Sequence, residues 1–213
     1  MMGDRDYRSL IRRVIDAIGK EIEINIDVSD NDKIGIHEIT GCIRRAYFNR
    51  IDPLEYKHQN FGELSVGLLH KLHYGTKKIE FDMDGIKLIG NADMIIDDAI
   101  IIFRSTIKTM ENPLAADMIY LNACLWMYNK NDGIIVYITT DGQESSFSLT
   151  RNKSMFEETA RRVRILHNLL VEKKLPILEP SSECSTCQYY QRCYMKQKIG
   201  KTITISDIMG MKK

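Results

Sequence analysis

The spacing of apolar positions changes period several times along the chain. Over residues 5–20, Leu10, Ile11, Val14, Ile15 and Ile18 recur three and four apart and Gly19 follows, which predicts an amphipathic helix. VSDNDK, residues 28–33, reads as a polar loop. GCIRRAYFNR (41–50) predicts a short helix capped by Thr40, and FGELSVGLLHKLHYG (61–75) predicts another, ended by Gly75. The period then shortens. Residues 77–107 are rich in Ile and broken by the turn pairs Asp84-Gly85 and Asp97-Asp98, the pattern of a three-strand meander. Residues 112–128 return to helical spacing, with Pro113 at the start. Residues 133–150 read as two strands about a Thr-Asp-Gly turn, and residues 154–173 as a long amphipathic helix. A cysteine-bearing segment follows, then a tail from residue 200 that reads as loosely attached. Helices, a meander, a helix, a strand pair and a helix make a mixed α/β core with helical material at both ends.

Composition changes this picture little. With 213 residues, 44% hydrophobic and 28% charged, the chain can bury a core without disulfide staples. A net charge of +1 gives no overall attraction for nucleic acid, so such a partner would need a local basic patch. MMGDRDYRSLIRR has no apolar h-region, and runs such as MIIDDAIIIF are too short and too charged to span a bilayer. The expected setting is cytoplasmic, with no membrane partner. There, clustered cysteines are more often metal ligands or catalytic groups than disulfides.

Three of the five cysteines sit in SSECSTCQYYQRCYM, residues 181–195. Cys184, Cys187 and Cys193 place three thiols on one tight turn, one ligand short of a tetrahedral zinc site or a cubane cluster. Cys124 lies in the apolar stretch LNACLWM and reads as a small buried hydrophobe. Cys42, at the start of a short helix and among arginines, is the expected fourth ligand. Spacing alone leaves zinc and iron–sulfur both open. Either would clip the N-terminal region to the C-terminal one. Arg44, Arg45 and Arg50 form a basic cluster near Cys42, readable as a solvated helix face or as phosphate contacts.

GCIRRAYFNR, GNADMII, AIIIFRST, PLAADMIYLNACLWMY and CSTCQYYQRC, in that order, resemble the RecB-like exonucleases that carry a 4Fe–4S cluster. Within that group the chain resembles the CRISPR-associated Cas-four exonucleases. The resemblance spans residues 35–197, leaving 1–34 as an N-terminal helix and linker and 198–213 as a tail. It implies a PD-(D/E)xK restriction-endonuclease-like core and a 4Fe–4S cluster on Cys42, Cys184, Cys187 and Cys193. It also implies cutting of single-stranded DNA with Mg²⁺ or Mn²⁺, and work beside the CRISPR integrase proteins in spacer acquisition.

Hydrolysis by that route needs carboxylates on a metal and a lysine near the attacking water. If Asp97-Asp98 form a two-residue turn, the cross-strand pairs are 96–99, 95–100, 94–101 and 93–102. Asp93 then faces position 102, with position 104 on the same face. Asp93 matches the family motif. Its second acid is replaced by Ile102 and its lysine by Arg104, which stays protonated and is shaped to fork onto an anion. In the next helix, where the family often has Gln and Tyr four residues apart, stand Tyr120 and Cys124. His70 is a candidate for the family's metal-binding histidine, although spacing from Gly62 puts Val66 there. His70 and His73 also read as packing residues of an apolar helix. Lys108, Glu63, Asp97 and Asp98 are weaker substitutes for the missing groups. Three functions follow: a DNA-binding family member whose nuclease is impaired or lost, an active exonuclease with a rearranged site, and a zinc-stapled binding module outside CRISPR.

Overall fold

The computed structural model describes residues 30–54, 76–139 and 142–198. The helices expected at 5–20 and 61–75, with Glu63, His70 and His73, and the tail from 200 lie outside the described residues.

Two mixed sheets carry the fold. In the first, β1 (Lys33–Gly35) runs parallel to β3 (Ile86–Gly90), and β2 (Ile79–Met83) pairs antiparallel on the other side of β3. The β2–β3 hairpin closes through Asp84 and Gly85 at φ 57° and 89°, the left-handed pair that a tight hairpin turn requires. The second sheet has the order β4-β5-β6-β7, formed by Met94–Ile96, Ala99–Thr106, Asp132–Thr139 and Glu144–Thr150. β4 and β5 pair as Met94 with Ile101, Ile95 with Ile100 and Ile96 with Ala99, the register expected from the Asp97-Asp98 turn. β5 and β6 are parallel, so the chain crosses between them through a helix, α3 (Ala115–Met127).

Five short departures from the sequence reading matter for the site. The expected meander is split between the two sheets at residues 91–93. Gly90 passes so close to the preceding short helix that an added Cβ would lie 2.2 Å from Ile36 Cδ1. The carbonyls of Asn91 and Ala92 then accept from Tyr120 and Thr76 hydroxyls, at 2.9 and 2.6 Å, instead of a neighbouring strand. β1 begins at Lys33, the last residue of the expected loop, and β1 and α1 (Ile36–Thr40) are too short for a periodic signal. Thr40 ends α1, and Cys42 caps the following helix α2 (Ile43–Ile51). Pro113 precedes the α3 cap, Leu114, whose amide donates to the Tyr137 hydroxyl at 2.9 Å. β5 stops at Thr106, whose hydroxyl turns back to the Lys108 carbonyl, so Lys108 is exposed beyond the strand and not on the face of Arg104.

α3 buries Leu121, Ala123, Cys124 and Leu125 against the second sheet. A Cβ on Gly133 would come within 2.7 Å of Leu121 Cδ1, so this glycine lets helix and sheet close up. The long helix α4 (Lys153–Val171) is capped by Asn152, which accepts from the Met155 amide at 3.0 Å. It turns Ala160, Val163, Leu166 and Leu170 inward, at three- and four-residue steps. The C-terminal segment, a 3₁₀ turn (Ser182–Thr186) and α5 (Tyr190–Lys198), docks on α2. Tyr189 is fully buried there and stacks on Phe48 at 5.3 Å between ring centres.

Candidate functional site: a guanidinium between two carboxylates, and a four-cysteine pocket

The first site lies where β5, α3 and the loop before β4 meet. Ile100, Ile102 and Arg104 alternate onto the α3 face of β5. Ile102 is fully buried and belongs to the core. Asp93 is 2% exposed, and its Oδ2 accepts from the Phe103 amide at 2.7 Å and from Arg104 Nη1 at 3.4 Å. Arg104 Nε donates to Asp117 Oδ1 at 2.7 Å. Asp117 Oδ2 accepts from the Tyr137 hydroxyl, also at 2.7 Å. Tyr120 lies beneath the guanidinium, 4.7 Å from ring centre to Cζ.

Burial opposes the charge on Arg104, but the Asp93 and Asp117 carboxylates outweigh it and hold the guanidinium protonated. Burial pushes the Tyr120 phenol up, and burial together with the bond to Asp117 does the same for Tyr137. Both phenols therefore stay donors. Burial likewise keeps Cys124 a thiol. The sequence reading placed Asp93, Ile102, Arg104 and Tyr120 together, and the structure brings them together. It missed Asp117 and Tyr137. An acid in the first turn of a helix reads as a favourable end charge, and nothing local says that it faces an arginine thirteen residues earlier.

The second site is a small, partly open pocket lined by Cys42, Cys184, Cys187 and Cys193 together with Arg45, Tyr190 and Tyr194. All four thiols are free, and among the described residues no three metal-ligating side chains stand in a close-set group. The Ser181 amide, 3.3 Å from Cys184 Sγ, lowers that thiol, whereas burial raises Cys193 against the pull of Arg44. Protein contacts already join the two ends of the pocket. Arg44 donates to the carbonyls of Pro176 and Cys193 at 3.1 and 3.3 Å, and Arg162 donates to those of Ile39 and Gly41, beside Cys42.

The three arginines near Cys42 do not share one surface. Arg50 is 8% exposed and forks onto Glu38, with both N···O distances 2.6 Å. Arg44 is 3% exposed. Only Arg45 of the three faces solvent, 3.7 Å from Glu183. The expected basic cluster therefore reduces to Arg45 as a group open to phosphate. No described helix is long and apolar enough to cross a membrane.

No family model matches the chain, and no curated sequence does. Among solved structures, protein SSO0001 is similar with a TM-score of 0.55 at 19% identity, over 88% of this chain and 96% of that one. An alkaline exonuclease, LHK-Exo from Laribacter hongkongensis, is similar at 0.44 and 12% identity, over 67% and 89%. A phage-related exonuclease from Haemophilus somnus is similar at 0.46 and 9% identity, over 65% and 93%. Of these three only the first exceeds 0.5. At that level of identity it speaks to fold alone: this chain shares the fold of SSO0001 over most of the length of both.

Proposed function

We propose that the chain is a DNA-binding member of the RecB-like 4Fe–4S exonucleases that keeps a PD-(D/E)xK nuclease scaffold and has lost or impaired its hydrolytic chemistry. The observation that carries this reading is Arg104, held between Asp93 and Asp117, with a buried isoleucine where the motif has its second acid. Metal-assisted hydrolysis needs carboxylates turned toward an ion. Here they are turned toward a guanidinium. Were Mg²⁺ or Mn²⁺ retained, Asp93 would be its ligand, with His70 a candidate outside the described residues.

The cysteine pocket supports the rest of the reading. The pocket brings Cys42 of α2 to the same place as Cys184, Cys187 and Cys193, a donor set that a zinc ion or a cluster could each take. Single-stranded DNA ends as ligand and the CRISPR integrase proteins as partners rest on the resemblance of the motifs, with Arg45 the exposed cation beside the pocket.

A cleavage assay tests this. The protein, purified without oxygen, is given end-labelled single-stranded DNA and Mn²⁺ beside Asp93→Ala. Binding without cutting is expected. Cutting that Asp93→Ala abolishes would establish an active exonuclease instead. A colourless protein holding zinc on four sulfurs would favour a zinc-stapled module.

A further inference from the structure

Between the short helices α1 and α2 lies a cleft lined by His37 and Gly41 on one side and by Arg45 and Asn49 on the other. Two glycines seat its side chains. A Cβ added to Gly41 would lie 2.7 Å from Arg45 Nη2, so the guanidinium is folded back across the Gly41 backbone. A Cβ added to Gly35 would lie 2.5 Å from His37 Cε1, so that ring rests on Gly35. Arg45 and Asn49 stand one turn apart on α2 and therefore share a face. Guanidinium, carboxamide and imidazole all carry N–H donors.

The charges around the cleft favour an anion. Glu38 lies in its wall, but its oxygens are taken by Arg50 and by the Gly35 amide. Glu183 comes within 3.7 Å of Arg45, with the two side chains 56% and 42% exposed, a weak pair that an anion can displace. The carbonyl end of α1 would repel an anion, but Arg162 donates to the Ile39 and Gly41 carbonyls there. The amino end of α2 meets the cleft at its cap, Cys42, which makes no side-chain hydrogen bond to the helix.

We propose that this cleft is a phosphate subsite, in which Arg45 carries the charge, Asn49 donates a neutral hydrogen bond to the same group and the His37 ring lines the other side. The subsite deepens the DNA-binding reading and rests on it only for the source of the phosphate, one group of a DNA strand. None of its residues belongs to the Asp93–Arg104–Asp117 network.

The test uses the full chain with end-labelled single-stranded DNA over a range of salt, beside Arg45→Gln, Asn49→Ala, Gly41→Ala and, as a control, Lys153→Gln, which removes an exposed cation from α4. Arg45→Gln should weaken binding about tenfold and flatten the salt dependence, as loss of a charged hydrogen bond does. Asn49→Ala should weaken it about threefold with the salt slope unchanged, because no charge is lost. Gly41→Ala keeps every charge, and the Gly41 φ of −103° is open to alanine. It displaces the guanidinium, and should weaken binding at an unchanged melting temperature. In parallel, inorganic phosphate is titrated into wild-type protein at constant ionic strength, and the Arg45 Nε–H and Asn49 side-chain amide signals are followed by NMR. Saturable shifts with phosphate and not with chloride are expected. Shifts with phosphate in a protein that does not bind DNA would keep the subsite for a free phosphate or a small phosphate ester and sink the DNA-binding reading. DNA binding that Asn49→Ala and Gly41→Ala leave unchanged, or that Lys153→Gln weakens as much as Arg45→Gln, overturns the subsite and leaves the DNA-binding reading standing. Should Gly41→Ala fail to fold, Asn49→Ala and the phosphate titration decide. Binding of neither phosphate nor DNA overturns both.

Discussion

Replacing Arg104 with methionine should be among the most damaging single changes in the described core. Methionine keeps much of the unbranched stem and removes the guanidinium. Three bonds go with it, to Asp117 at 2.7 Å, to the Phe103 carbonyl at 2.8 Å and to Asp93 at 3.4 Å, along with the contact to Tyr120. The larger cost is what remains. Asp93 is 2% exposed and Asp117 9%, so two carboxylates lose a shared cation in a place water hardly reaches. Removing one partner of a buried ion pair costs about 3–5 kcal/mol. The Arg104 side chain is itself 21% exposed, which argues for the lower end. At about 3 kcal/mol, and with m near 2 kcal/mol/M, the urea midpoint should fall by roughly 1.5 M. Pairing the change with Asp117→Asn separates charge from packing, because asparagine still accepts from Tyr137. The double mutant should recover about 1 kcal/mol or more relative to additivity. A midpoint drop under about 0.5 M, equivalent to about 1 kcal/mol, together with no coupling to Asp117→Asn, would refute the idea that this guanidinium neutralises the two acids.

Ile102→Glu buries a carboxylate on the face shared with Arg104; it should lower the melting temperature without metal and regain part of the loss in Mn²⁺. A melting temperature that Mn²⁺ leaves unmoved would remove position 102 from the metal face. In metal-free protein, iodoacetamide should label Cys184 well before Cys193 at neutral pH, since the Ser181 amide favours the one thiolate and burial disfavours the other. Equal labelling rates, read by mass spectrometry, would contradict that asymmetry. If the chain binds DNA as proposed, Arg45→Gln should reduce the salt dependence of that binding by about one unit of slope; an unchanged slope would take Arg45 off the phosphate path.

What the sequence made legible was local. The Asp97-Asp98 turn and the period-two pattern around it fixed one register, and with it the meeting of Asp93, Ile102 and Arg104. The strand pair at 133–150 and the long helix also followed from periodicity. What it hid were pairings between distant segments. Asp117 is thirteen residues from Arg104, and Glu38 twelve from Arg50, with no repeat or turn to link them. The meander broke because Ile36 packs on Gly90, a contact across fifty-four residues that no window contains. Arginine misled most. Its charge reads as surface in a sequence, yet Arg44 and Arg50 are interior: carbonyls take both Nη groups of Arg44, and Glu38 with two carbonyls takes the fork of Arg50.

The same property of arginine links the two sites. A guanidinium differs from a metal ion in that it satisfies acceptors without offering a coordination position to anything else. At Arg104 the carboxylates that could ligate an ion already have a cation. At Arg44 the geometry is the reverse. Two nitrogens are spent on backbone carbonyls and one remains buried without a partner. At Arg104 one cation offsets two buried acids, whereas at Arg44 one donor stays unmet inside the protein, a cost of about 1–3 kcal/mol.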